Sequence, residues 1–488
     1  MKVSRILFAS IAATSLAWAE DPQESDYYKI TTFTTPQDTA LEVSSIELLP
    51  DHKVLLGTRR GEIWTVSNCE GDPAQVKYQL FASGQHEVMG LAWAPKEKAV
   101  YETCRYEVAR LKDLDGDGRA DSFETVCDKW GVSGDYHEYA FGSRFDKNGD
   151  IWLTLCLTGS FTSQTHFRGW AARVKPDGSF VPTCSGVRSP GGIGFDKDGE
   201  VYFTDNQGPW RGASTLQHMI PGTFQGHPGG FKWYDEAPNM GPRPVEPNDN
   251  SRMVTERGRV KELVPPAVYM VHDKIGHSSS FICCDLSKGK FGPFPTQIFV
   301  ADQSYSNVAR VYLEKVNGID QGVVIPFLKG FASGLIGGRM NDETGQLYAG
   351  GSDRGWGAKG GKPYSFERVD WTGKMPFEIH EVHAKPDGFE LTFTQPVDPK
   401  TAADPASYNL REFTYIYRAA YGSPEVDEVL PKLTKAEVGA DKKSVHLVFD
   451  TLTKGHVHEI HLDGVKSAEG LPVLHPVAYY TLNEIPTK

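Results

Sequence analysis

The 488-residue sequence has no Cys-x-x-Cys pair, no block of consecutive Lys and Arg, and no later apolar run reaching about 18 residues. The first absence disfavours covalent haem attachment and zinc knuckles. The second goes with a formal net charge of -12, from 51 basic and 63 acidic side chains, which repels phosphate and argues against nucleic acid as a partner. The third leaves no segment to anchor the chain in a membrane. Cysteine is sparse as well: seven residues, at 69, 104, 127, 156, 184, 283 and 284, an odd number that leaves at least one unpaired within a monomer. Cys104 and Cys127 flank an acidic loop, and a bridge between them is one expectation; adjacent Cys283 and Cys284 read as small packing residues.

At the start of the chain, Lys2 and Arg5 precede the apolar run Ile6 to Leu16, and Ala17-Trp18-Ala19 supplies small cleavage-site residues. This pattern predicts a secretory signal over 1–19, a mature chain beginning near Glu20, and a periplasmic or secreted location. No Cys follows the cleavage site to take a lipid.

The acidic loop reads Asp113-Leu-Asp115-Gly-Asp117-Gly118-Arg-Ala-Asp121-Ser-Phe-Glu124. Oxygen ligands at positions one, three, five, nine and twelve, with Gly at six, are the pattern of a Ca²⁺ loop, because Ca²⁺ takes six to eight hard oxygens and Gly allows the sharp turn. The predicted ligands are Asp113, Asp115, Asp117, Asp121 and Glu124. The flanking segments are β-branched and aromatic, so the loop is expected to join strands and to act structurally.

A turn followed by a short aliphatic and aromatic strand recurs at Ile63, Val100, Ile151, Val201, Ile298 and Leu347, with steps of 37, 51, 50, 97 and 49 residues. That spacing predicts an all-β fold, a six-bladed β-propeller over 20–375, with a loop insertion at about 207–266 that is either a wall over one end of the ring or a hidden blade. Beyond Trp371 the motif stops. Alternating strands such as Phe389 to Phe393 and Ser444 to Phe449 predict a small Ig-like β-sandwich over 376–488. His456 and His458 in that region are expected on an exposed strand face.

Three clusters offer chemistry. Gly134-Asp135-Tyr136-His137-Glu138-Tyr139 places an imidazole beside two carboxylates, suited to proton abstraction. Arg188 precedes the fourth motif, and Asp205-Asn206-Gln207-Gly208-Pro209-Trp210 follows it; Arg339 precedes the last motif. Two such guanidinium groups would make one end of the ring locally cationic, or else each forms a salt bridge between blades.

Gln85-His-Glu87, then His137 ahead of Phe145-Asp-Lys-Asn-Gly149, then Arg188-Ser-Pro190 and Gln207-Gly208-Pro209, follow in an order that resembles the glucose/sorbosone dehydrogenases, the soluble quinoprotein sugar dehydrogenase family. The nearest likeness is to secreted planctomycete and verrucomicrobial proteins, without the haem module often fused to them. The resemblance implies a propeller that binds pyrroloquinoline quinone (PQQ) and Ca²⁺. It makes His137 the base and Arg188 a catalytic and cofactor contact; Arg339 and the Gly208 and Pro209 carbonyls would also hold cofactor or its calcium, and Gln85 and Asp135 would line the substrate pocket. Such chemistry is coherent, since a metal polarises the quinone, cations stabilise its reduced form and imidazole takes the proton. Two positions depart from the family: Tyr136 stands where Asp usually precedes the His, and Ala301-Asp-Gln303-Ser-Tyr305 carries no Lys.

The leading expectation is therefore a secreted PQQ-dependent sugar or alcohol dehydrogenase-like propeller, with a small sugar as substrate and a protein as electron acceptor. The alternatives are a non-catalytic, Ca²⁺-stabilised propeller binding glycan or protein through Trp210, Phe224, Trp233 and Tyr234, and a hydrolase or lyase using His137 with a carboxylate.

Overall fold

Short apolar strands separated by tight turns can bury both faces only when neighbouring sheets cover them, and the chain solves this by arranging its sheets radially. The computed structural model describes residues 21–355 and 357–487. The expected secretory leader lies outside the described residues. Six antiparallel blades follow in order. Blade one is Val43–Leu49, Lys53–Thr58, Glu62–Ser67 and Lys77–Ser83. Blade two is Gly90–Ala94, Ala99–Thr103, Val108–Lys112 and Ser122–Cys127. Blade three is Ala140–Phe145, Ile151–Leu155, Trp170–Val174 and Phe180–Ser185; blade four is Pro190–Phe195, Val201–Asp205, Ser214–His218 and Val268–Met270. Blade five is Ser279–Cys284, Ile298–Asp302, Asn307–Val316 and Ile319–Lys329. Blade six holds Leu335–Asn341, Gln346–Ser352 and Tyr364–Trp371, and its outer strand is Tyr28–Thr32 from the start of the described chain. The first and last blades are thereby fastened together, and the innermost strand of blade six packs on that of blade one to close the ring.

The recurring motif falls on the second strand of blades two to six, where Ala99–Thr103, Ile151–Leu155, Val201–Asp205 and Ile298–Asp302 are buried throughout. Blade one is the exception. Its Gly61 copy lies on the third strand, and the matching second-strand position is Val54 in Lys53–Thr58, which explains the short first step of the repeat. The long step holds no seventh blade. The insertion supplies the third strand of blade four, and the fourth, Val268–Met270, follows it directly; Thr223–Phe224 of the insertion pairs in parallel with Phe180–Ser185 of blade three. The rest packs outward: Phe224, Phe231, Tyr234 and Met240 share a core with Phe167 and Trp170.

The terminal segment forms two sheets around Phe377, Phe389, Leu447 and Ile460. One contains Ile379–Lys385, Gly388–Phe393, Ser444–Phe449 and Leu433–Val438. The other starts at Val477–Leu482 and continues the sheet of blade five, with Gly322 opposite Thr481 and Val324 opposite Tyr479. An edge strand that would otherwise be open is thus paired. His475 adds a polar lock between Glu378 and Glu24, at 3.1 Å from the latter, so the two ends of the described chain meet. His456 and His458 are buried, not exposed, and His458 faces Glu412 at 3.0 Å. Both faces of His456–His461 are covered, His458 against Phe389 of the other terminal sheet at 5.1 Å between centroids and Val457 in the core shared with blades four and five, so alternation does not leave a face in solvent.

Candidate functional site

Each innermost strand runs from one mouth of the central channel to the other. Met89, Phe141 and Ile336 meet across the axis as an apolar plug and divide it in two. The mouth at the starts of these strands is a cavity of about 330 Å³ whose walls include Arg59, His137, Arg188, His277, Gln303 and Arg354. No carboxylate occurs among the described lining residues. The charged lining is thus basic in a chain of net charge -12, with Glu42, Glu87 and Asp135 standing behind it.

His137 sits in the loop that enters blade three. The Asp135 Oδ1 atom accepts from the His137 amide at 2.8 Å and from the Gly159 amide at 2.9 Å, and it lies 3.5 Å from His137 Nδ1. Burial opposes ionisation of Asp135, but those amide bonds and the imidazole outweigh it and hold its pKa below the usual carboxylate range. The aspartate two residues before the histidine therefore stands behind the ring, where it orients it. Two buried guanidinium groups fix the loop. Arg105 bonds the Asp135 and Tyr136 carbonyls at 2.7 and 3.1 Å while pairing with Glu87. Arg168 reaches the carbonyls of Gly131, Glu138, Tyr139 and Arg105 at 2.7 to 2.9 Å. Glu138 points away from the cavity and accepts from Ser133, Thr158 and Thr165. Burial raises its pKa, yet these bonds dominate and lower it.

Arg59 is delivered by the turn between the second and third strands of blade one. It donates to the hydroxyls of Tyr136 at 2.9 Å and Tyr139 at 2.6 Å, and to the Arg354 carbonyl at 2.8 Å. Arg354, on the matching loop of blade six, lies 3.3 Å from Glu42 and 3.7 Å from Glu87 and remains 41% exposed. Arg188 is buried. Its Nε donates to the Ser160 carbonyl at 3.1 Å and its Nη1 to the carbonyls of Asn206 and Gln207 at 3.1 and 2.6 Å. Burial pulls its pKa down, with Asp205 opposing. Ser189, Asn206, Gln207, Ser278 and Gln303 add polar side chains to the cavity wall, while the Ser279 and Ser280 hydroxyls are buried behind it.

Several sequence expectations need correction. Arg339 does not share this mouth. It lies in the other half of the channel with Arg144, and its Nε is 3.2 Å from Glu47. Arg188 precedes its innermost strand by two residues, whereas Arg339 is the fifth residue of its own. At about 3.3 Å per residue, the six-residue offset sets them about 20 Å apart along the channel. The Gly208 carbonyl accepts from the Arg211 and Gly422 amides, both at 3.0 Å, so it is spent; the Arg188 guanidinium lies against Gly208 so closely that any Cβ there would overlap it. Neither Gly208 nor Pro209 lines the cavity, and the pair does not fit a calcium ion. Gln85 and Asp135 also lie outside the lining, Gln85 bonded to the Gly61 carbonyl through its amide.

In the acidic loop, Asp113, Asp115 and Asp117 bring carboxylate oxygens within 4.8 Å of one another. The loop joins strands Val108–Lys112 and Ser122–Cys127 of blade two. Asp121 instead accepts from the Leu114 and Asp115 amides, and Glu124 pairs across the hairpin with Arg110. A strand follows the loop where a helix would fold the twelfth position back, so Glu124 is carried off the group. The seven cysteines are all buried and unbridged; Cys127 faces Val108 rather than Cys104.

Arg59, Tyr139, Gln303 and Arg354 had not been singled out for roles at this mouth. His277 was missed as well; it stacks on His272 at 4.3 Å between ring centroids. So was Tyr421, which reaches the cavity from the terminal segment. A signal existed for the arginines, since each sits just after a blade's second strand.

Against known proteins, a family model described as a domain of unknown function, DUF7133, matches residues 43–279, the span of blades one to four. No curated protein matches the chain. Among solved structures, an oxidoreductase from Thermus thermophilus described as a glucose dehydrogenase is 19% identical, with 70% of this chain and 99% of that chain covered and a TM-score of 0.51. A second glucose dehydrogenase is 15% identical over 71% of this chain and all of its own, with a TM-score of 0.50. These likenesses establish the propeller fold.

Proposed function

We propose that the chain is a quinone-dependent dehydrogenase-like propeller that oxidises a sugar hydroxyl at the His137 mouth. The observation that carries this reading is the cavity itself: three arginines and no carboxylate among its described lining, with a histidine whose Nδ1 side is covered by Asp135. The two similar structures are described as glucose dehydrogenases, which adds a sugar to the expectation. The residues suit an anionic, flat cofactor such as PQQ. Arg59, and Arg354 with part of its charge already met by Glu42 and Glu87, would face the cofactor from blades one and six, where blade five offers the neutral Gln303 in place of a lysine. They do not suit a calcium ion at Gly208 and Pro209, so no step is drawn through one.

In this reading His137 takes the hydroxyl proton, Asp135 holds the ring and favours the resulting cation, and the bound quinone would supply the hydride acceptor. The plug of Met89, Phe141 and Ile336 closes the cavity from below and limits water at the reacting carbon. Binding of glycan by Trp210, Phe224, Trp233 and Tyr234 is not favoured, since Trp210, Phe224 and Tyr234 are buried and the half-buried Trp233 already donates to Ser163 at 2.7 Å. We further place the protein outside the cytoplasm, with an Ig-like terminal module and a protein acceptor for the electrons; no described helix is long and apolar enough to cross a membrane.

The test is dye-coupled oxidation of an aldose panel by the purified chain with added PQQ. Turnover supports the reading, and its absence with every sugar counts against it. The same reading assigns a structural Ca²⁺ to Asp113, Asp115 and Asp117. Added Ca²⁺ should raise the melting temperature of the wild type by several degrees and leave Asp113→Ala/Asp117→Ala unmoved. Equal curves with Ca²⁺ and with chelator would remove the ion from this loop.

A further inference from the structure

Two exposed rings stand at the rim of the mouth on its blade-four side. Phe161 comes from the loop after the second strand of blade three, and Tyr421 from the terminal segment. They keep 53% and 58% of their surfaces exposed. Their centroids are 6.4 Å apart at 44°. The Arg188 guanidinium packs against both, 6.0 Å from the Phe161 centroid and 5.2 Å from that of Tyr421. Exposed aromatic surface at a cavity rim is costly unless something covers it.

The backbone that presents the rings is anchored. Gly159 and Ser160 take φ of 60° and 62°, and the Gly159 amide is tied to Asp135, so the turn that presents Phe161 is linked to the one that presents His137. Tyr421 is fixed by the propeller's own backbone. The Gly422 amide bonds the Gly208 carbonyl at 3.0 Å, the Trp210 amide bonds the Arg418 carbonyl at 2.7 Å, and Pro209 bridges Tyr421. The terminal module thus occupies the carbonyl that the family resemblance assigned to calcium and places an aromatic ring beside the cavity instead.

Resting on the reading of the mouth as a sugar-oxidising site, we propose that Phe161 and Tyr421 form a stacking subsite for a second pyranose ring. The preferred substrate is then the end of an oligosaccharide, and the terminal module is part of the substrate site. A pyranose has an apolar C–H face that covers an aromatic ring and a girdle of hydroxyls that needs partners. Both needs are met here: the rings are followed inward by the polar lining residues Ser189, Asn206, Gln207, Ser278 and Gln303. An acyl chain or apolar peptide would cover the rings but desolvate that polar lining without matching it. Anchored turns lose little backbone freedom on complex formation.

The experiment compares glucose with maltotriose and cellotriose, using the full chain with PQQ for turnover and the full chain alone for calorimetric binding. In the wild type, one trisaccharide should have a kcat/KM at least tenfold above glucose. Tyr421→Ala should collapse that ratio about tenfold, mainly through KM, and Tyr421→Phe should keep it because the ring remains. Trisaccharide binding that Tyr421→Ala abolishes, in a protein with no turnover on any sugar, would sustain the subsite and sink the catalytic reading. Turnover with no preference for a trisaccharide, or a preference untouched by Tyr421→Ala, would overturn the subsite alone. An absence of both binding and turnover would overturn both.

Discussion

Replacing His137 by alanine should lower kcat for sugar oxidation by about two to four orders of magnitude, the range for loss of a positioned general base. The expectation follows from where the ring stands. Its backbone amide and Nδ1 both face Asp135, which fixes one side and turns the other toward the cavity. Stability should change little. The loop is held by Arg105, Arg168 and Glu138 through backbone carbonyls and neighbouring hydroxyls, and none of the bonds described above between them uses the imidazole. Steady-state turnover and a melting curve on the same preparation separate the cases. Lost turnover with an unchanged melting temperature fits a base. Retained turnover would remove His137 from the chemistry, and a large fall in melting temperature would make it a structural residue.

The largest effect on stability is expected from Arg168→Ala. The side chain is 0% exposed, and its guanidinium satisfies four carbonyls on two loops. Burial brings its pKa down to about 10, so it stays charged at neutral pH. Truncation would orphan those oxygens and leave a void, at a cost of about 3–5 kcal/mol by analogy with broken buried ionic networks. Lysine should recover little, because one ammonium cannot reproduce a planar fork aimed at four acceptors. The melting temperature should drop by several degrees, and turnover with it, since the Gly131, Glu138 and Tyr139 carbonyls belong to the loop that carries His137. An Arg168→Ala protein as stable as the wild type would show that this brace is not what holds the site.

The ring was legible because a propeller writes its period into the strand buried on both faces. Val100, Ile151, Val201, Ile298 and Leu347 occupy such strands, while the Gly61 copy was read one strand late because blade one also has an apolar third strand. His137 and Arg188 could be placed at one mouth because each lies just before an innermost strand. Arg339 could not be told apart from them by motif spacing alone. Height along the channel depends on its position within the strand, and four residues past the strand start carried it beyond the apolar plug. The acidic loop was legible for its first three aspartates, which are local, and not for Glu124, whose direction depends on the strand that follows. Tyr421 left no trace in the sequence, since its place depends on how the terminal sheets join blade five.

In the proposed reading an anionic quinone occupies the mouth lined by Arg59, Arg188 and Arg354. This occupancy is tested most directly by titrating the purified chain with PQQ and following binding by fluorescence quenching, in parallel with Arg354→Ala. The account predicts saturable binding of one molecule per chain, weakened at least tenfold by the substitution and weakened further by added salt. No saturable binding, or binding indifferent to Arg354, would contradict it.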